Sequence, residues 1–213
     1  MINKVFILAI ILFCHACSGQ KEKEINTVTK SEKMRKFDIE NFKKTWNKGG
    51  AFFLLSDGSK VEQYESDNGF DEYIKKPAPS FLSEYNTYYK EGNLKSSTTT
   101  FSNVAVGKYF EYDKNEKIIS EKNEDTKFKK IKYTDILDFL KKNHHVDLKT
   151  GKGWYLDNGE PAIEVHFNET NSLWTIRSAK GIVTHSKNSP SGQGLKANFY
   201  YEIDGNSGKV LKD

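Results

Sequence analysis

The sequence predicts an α+β fold in which antiparallel β-meanders and sheets dominate and two short amphipathic helices pack against them. Three observations lead there. The chain is rich in aromatics, with 14 Phe, 11 Tyr and 3 Trp; such residues favour strands and bury large areas. Short apolar runs alternate with polar residues and are punctuated by Gly, Asn and Asp. Only two segments carry the three-and-four spacing of a helix stripe.

The elements follow in chain order. Lys4 precedes the unbroken apolar run Val5–Phe13. A membrane-spanning helix needs about 20 apolar residues. This run is too short for that and suits the apolar region of a signal peptide. Next comes Cys14-His15-Ala16-Cys17-Ser18-Gly19. It resembles the lipobox of bacterial lipoproteins, where a small residue precedes the acylated cysteine. Ala16 and Cys17 match that pattern; Cys14 and His15 depart from it. The resemblance implies that residues 1–16 are removed as a signal peptide. It also implies a diacylglycerol on the Cys17 sulfur and an acylated new amino group. Two or three acyl chains anchor a protein stably, whereas one holds only marginally. A secreted protein cut elsewhere is the competing reading. A Cys14–Cys17 redox or metal pair fails on position, since no folded domain surrounds it.

Residues 17–33 hold two aliphatic residues and no aromatic. Such a stretch buries too little surface to fold and is expected to be a lipidated flexible tether. Its root-mean-square span as a coil is roughly 20–25 Å.

Residues 34–125 are expected to form a helix followed by a β-meander. Asp38 can cap a helix whose stripe is Ile39, Phe42 and Trp46, ended by Gly49-Gly50. Ala51–Leu55 and Lys60–Tyr64 flank the turn dipeptide Asp57-Gly58 and form a hairpin. Residues 66–84 are expected to be irregular, with Pro77 and Pro79 in a surface connection. Then come Tyr88–Lys95 and Gly107–Ile119, which pair tyrosines with Gly-Asn and Gly-Lys-aromatic turns. This segment, about 85–120, resembles the variant MORN repeat of YwqK-type proteins. It departs at Asn115-Glu116-Lys117, where the family has a glycine, and at Ser102–Val106, which lacks Asn-Gly. Some YwqK-type proteins are named antitoxins, so the resemblance implies a protective binding role and no catalytic residue.

Glu121–Lys130 is charged and is expected to separate this half from residues 126–213. There a helix capped by Thr134 carries the stripe Tyr133, Ile136, Leu137 and Leu140. Ile163–Phe167 alternates cleanly, Leu173–Arg177 and Asn198–Ile203 are further strands, and Asp204–Gly208 turns into Lys209–Leu211. The order of elements and the ending Tyr201–Leu211 resemble a PepSY-like module, a type linked to extracytoplasmic inhibition or binding.

Chemistry-bearing patterns are sparse. Net charge is +4 with Lys spread among Glu and Asp, which argues against a nucleic-acid partner. Beyond Cys17 the chain offers no cysteine for a disulfide or nucleophile. His144 and His145 are adjacent and diverge on a helix. Glu164 and His166 share a strand face but lack a third ligand, so no metal is expected. No Gly-x-Ser-x-Gly elbow or phosphate-binding loop is present. Glu121, Glu124 and Asp125 read as a solvated charged stretch rather than an acid–base pair.

The expectation is therefore a lipid-anchored binding protein of the cell envelope, at the outer membrane, without catalytic activity or cofactor. In its most specific form it is an immunity (antitoxin-like) protein that neutralises a toxin. The alternative is an envelope ligand-binding or assembly-assisting lipoprotein acting through its PepSY-like half. An enzyme such as a hydrolase is a third class. The expected partners are the membrane, through the Cys17 lipid, and a protein, either toxin or envelope component. Candidate contact residues are His185 and Lys187, in the Gly- and Ser-rich loop 184–194, and Tyr88, Tyr109 and Tyr112 of the meander.

Overall fold

A computed structural model describes residues 35–47, 49–157, 159–185 and 193–213, with the backbone alone for 181–185 and 193–197. It is mostly antiparallel sheet with two short helices. The first sheet is a seven-stranded meander of β1 (Ala51–Leu54), β2 (Lys60–Ser66), β3 (Gly69–Lys75), β4 (Leu82–Tyr89), β5 (Leu94–Phe101), β6 (Val104–Tyr112) and β7 (Ile118–Asn123), each paired with its sequence neighbours.

Helix α1 (Ile39–Thr45) precedes it and lies over one face. Phe37 and Phe42 meet Ala51, Phe70, Tyr88 and Leu94 in a compact aromatic core, with Phe37 stacked on Phe70 at 4.3 Å. The Asp38 side chain caps the helix by accepting the Asn41 N–H at 2.9 Å. Asp38→Ala should therefore lower stability by about 1 kcal/mol. Urea denaturation checks this as a lowered midpoint at unchanged slope.

The turns between strands explain the register. Gly69 closes the β2–β3 turn at φ +151°, where a Cβ would lie 1.9 Å from the Tyr88 carbonyl oxygen on β4. Only glycine permits that approach. At Asn115-Glu116, where the repeat pattern has glycine, Glu116 takes φ +66°. Asp113 compensates by accepting the N–H groups of Asn115 and Lys117. A bulge between Thr98 and Thr99 frees the Gly107 N–H, which donates to Asp125 at 2.9 Å.

The second sheet has the order β13 (Val210–Lys212), β12 (Tyr200–Asp204), β9 (Leu173–Ser178), β8 (Ile163–Asn168). β10 (Gly181–His185) and β11 (Gln193–Ala197) form a separate hairpin. Helix α2 (Tyr133–Lys142) buries Ile136 and Leu140. They join Trp154, Val165, Trp174, Ile176 and Ile203 in the larger core. That core also takes in Phe101, Val104 and Val106 from the β5–β6 end of the meander. The boundary expected at residue 125/126 thus runs through shared packing, and residues 34–213 form one compact unit.

Several local expectations are corrected. Residues 66–84 are largely strand, because Phe70, Glu72 and Ile74 alternate as the buried face of β3; the acidic residues Asp71 and Glu72 hide that alternation in the sequence. The β1–β2 connection is longer than a two-residue turn: Leu55 donates to the Ser59 carbonyl, and Asp57 accepts the Ser59 N–H. Thr134 lies inside α2, whose cap is instead Lys132, with its N–H held by the Asp135 carboxylate at 2.8 Å. Glu121–Lys130 is not a solvated stretch throughout. Glu121 to Asn123 complete β7, and Glu124, in the 3₁₀ turn Glu124–Lys127, is buried and paired with Lys122 and Lys127. Loop 184–194 is shorter than expected, since His185 pairs with Gln193 and Thr184 with Gly194.

Candidate ligand-binding cleft

Antiparallel register fixes which side chains share the meander face opposite α1. Phe52, Glu62, Tyr73, Tyr85 and Thr98 form one row across β1–β5. Tyr64, Asp71 and Thr87 form the next, and Lys60, Lys75, Ser83 and Thr100 a third. Paired residues on one face stand close enough for their side chains to touch. Here the rings do: Phe52 meets Tyr64 edge-on at 5.9 Å, Tyr64 meets Tyr73 edge-on at 6.2 Å, and Tyr73 stacks on Tyr85 at 4.6 Å.

This tyrosine ladder is one wall of an open cleft of about 740 Å³. The other wall comes from the second half of the chain, with Trp154, Tyr155, Pro161, Ile163 and Glu164. The β5–β6 turn supplies Ser102 and Asn103. The two walls meet where Ser83 Oγ and the Tyr155 hydroxyl lie 3.5 Å apart. Size and lining fall in the range of small-molecule sites, with aromatic walls and a few placed polar groups.

The polar groups are mostly held by one another. Glu62 is bridged by Lys75 and accepts the Tyr64 hydroxyl at 3.3 Å. Asp71 accepts the Tyr85 hydroxyl at 3.2 Å. Glu164 is gripped by Arg177 at 2.5 and 2.7 Å. Burial, reinforced by the Asp71 charge, pushes the Tyr85 phenol well above the ordinary tyrosine range. Burial raises Tyr73 too, and burial with the Glu62 charge raises Tyr64. All three rings stay neutral hydroxyl donors at physiological pH.

Of the residues singled out from sequence, those whose side chains are described lie elsewhere. Cys17 and Lys187 fall outside the described residues, and His185 ends β10, where only the backbone is described. Tyr88 is corrected from a surface contact to a core residue: it is 1% exposed and donates its hydroxyl to Glu72 at 2.8 Å. Tyr109 and Tyr112 are half-buried on β6; Tyr109 donates to Glu111, and Tyr112 packs against the smaller core. None of them lines the cleft. Its tyrosines are not legible in the sequence, because the irregular segment expected at 66–84 hides β3, and without β3 the rows of Tyr64, Tyr73 and Tyr85 cannot be aligned. The signal available was the period-two spacing of Glu62 with Tyr64, and of Asp71, Tyr73 and Lys75.

Among the described residues no group of three His, Cys, Asp or Glu side chains converges as a metal site. His166 Nε2 is 3.8 Å from Glu164, whose carboxylate already serves Arg177. His145 stacks on Phe199 at 3.9 Å and meets the Tyr201 hydroxyl at 3.0 Å. Burial pushes its pKa down, with help from His144. No family model, curated protein or solved structure matches the chain.

Proposed function

We propose that the chain is a lipid-anchored binding protein of the cell envelope, held by acyl chains on Cys17, and that its ligand occupies the tyrosine-lined cleft. The observation that carries this reading is the cleft itself. Three fixed tyrosine rings face a second wall drawn from the far half of the chain, in a space of about 740 Å³. Its acids Glu62 and Glu164 are tied to Lys75 and Arg177. That arrangement suits holding a ligand better than moving protons, which needs groups of separated pKa.

The anchor has its own test. Cys17→Ser should abolish labelling by a radioactive or clickable fatty acid and leave the protein unprocessed or soluble. Continued membrane attachment after normal cleavage would rule out the anchor.

A second reading, capture of a protein partner such as a toxin, is favoured by β7. It is an outer strand of the meander, with Ile118 and Ile119 at 50% and 61% exposure. Unpaired edges accept a partner's strand. The two readings separate by position. If Ile119→Lys removes partner capture in a cross-linking assay while Tyr73→Ala does not, the edge and not the cleft is the site.

A further inference from the structure

Resting on the cleft as the binding site, we infer that its ligand class is a neutral saccharide chain. The argument begins with the rings. A pyranose presents a face of C–H bonds and a rim of hydroxyls. It therefore needs an exposed aromatic face with hydrogen-bonding groups around it. Tyr73 is 38% exposed, so part of its ring stays open to the cleft although it stacks on Tyr85 at 4.6 Å and an interplanar angle of 27°. Aromatic rings combine an apolar face with a polar edge at low conformational cost.

The surroundings complete the match. Glu62, Asp71 and Glu164 are acceptors for sugar hydroxyls, and hydrogen bonds to charged groups are stronger than neutral ones. Ser83, Thr100 and Asn103 offer donors as well as acceptors on the cleft lining. Lys75 and Arg177 already balance Glu62 and Glu164, so two of the three carboxylates do not call for a charged ligand. The Tyr64 and Tyr85 hydroxyls are held by Glu62 and Asp71 before any ligand arrives, which reduces the ordering cost of binding. The cleft is open rather than enclosed, and an open cleft admits a chain as well as a single ring.

The rival ligand is a basic side chain drawn to Asp71, which has no ion pair among the described residues. Cation–π attraction to the same rings would assist it.

The experiment uses the full-length lipoprotein in detergent micelles and isothermal titration against two sets of probes. The first set is neutral hexasaccharides: β-1,4-linked N-acetylglucosamine, β-1,4-linked glucose, α-1,4-linked glucose and β-1,4-linked mannose. The second is a hexalysine peptide. The expected result is saturable binding of at least one hexasaccharide. Tyr73→Ala should weaken it tenfold or more, and Tyr73→Phe should largely retain it, because the ring face and not the hydroxyl makes the contact. Matching circular dichroism spectra exclude unfolding of the variants. Hexalysine binding lost in Asp71→Asn, with no saccharide bound, overturns the saccharide class but keeps the cleft as the site. Saccharide binding untouched by Tyr73→Ala, or silence from every probe, overturns the proposal.

Discussion

Glu72→Ala is expected to lower the free energy of unfolding by about 3 kcal/mol, the cost of leaving several buried donors without their acceptor. Glu72 is 1% exposed on the α1-facing side of β3. Its carboxylate accepts Gln63 Nε2 at 2.7 Å, the Tyr88 hydroxyl at 2.8 Å and Arg35 Nη2 at 3.0 Å, with Asn86 Nδ2 at 3.4 Å. Gln63, Glu72 and Asn86 are register partners across β2, β3 and β4, so one carboxylate ties three strands. Arg35 is partly exposed and can return to water; Gln63, Asn86 and Tyr88 are buried and cannot. The cost should therefore come from the neutral donors. Glu72→Gln keeps an acceptor oxygen and should cost about half as much, and Arg35→Ala, which leaves the buried carboxylate its neutral donors but no counter-charge, less than Glu72→Ala. Urea titration of the three variants decides. A loss in Arg35→Ala equal to that in Glu72→Ala would mean that the ion pair, and not strand coupling, dominates.

Glu72 also shows where the sequence was readable and where it was not. Patterns set by local periodicity came through. Asp38 caps α1, Ile136 and Leu140 form the buried stripe of α2, and Ile163 with Val165 alternates with exposed His166 on β8. These depend only on neighbours in the chain. β3 failed because its buried face contains a carboxylate, and a charged residue reads as solvent-facing until its partners are known. Those partners lie 9 to 37 residues away in sequence. The cleft failed for the same reason at larger scale. Its tyrosines occupy different strands, and its second wall comes from residues 154–164. Tyr88 and Tyr85 are near neighbours of similar composition, yet one is core and the other lines the cleft. Their odd spacing on β4 puts them on opposite faces, and which face is buried depends on what packs there, which is not written in the residue types.

The largest single effect is expected at Phe101. It is fully buried, stacks on Trp154 at 4.9 Å and 15°, and leans on Tyr133 of α2 at 5.6 Å. Phe101 belongs to the meander, whereas Trp154 and Tyr133 belong to the second half, so this ring joins them. Phe101→Ala should cost about 3–5 kcal/mol through lost burial and the cavity left behind. Its location predicts more than a magnitude. If the two halves share one core, the wild type should unfold in a single transition, with tryptophan fluorescence and far-ultraviolet circular dichroism coincident. Phe101→Ala should shift both probes together. A chain of residues 126–213 alone should fail to fold, because it would expose the side of Trp154 that Phe101 covers. Leu82→Ala, at a partly buried position against the same core, should act in the same direction with a smaller loss. Two separated transitions in the wild type, or a Phe101→Ala variant that moves only the circular dichroism signal, would show that the halves fold independently. The cleft between them would then depend on how two domains dock. Coincident curves would instead make the cleft a fixed feature of one fold, with the tyrosine wall and the Tyr155 wall held in place by the same ring.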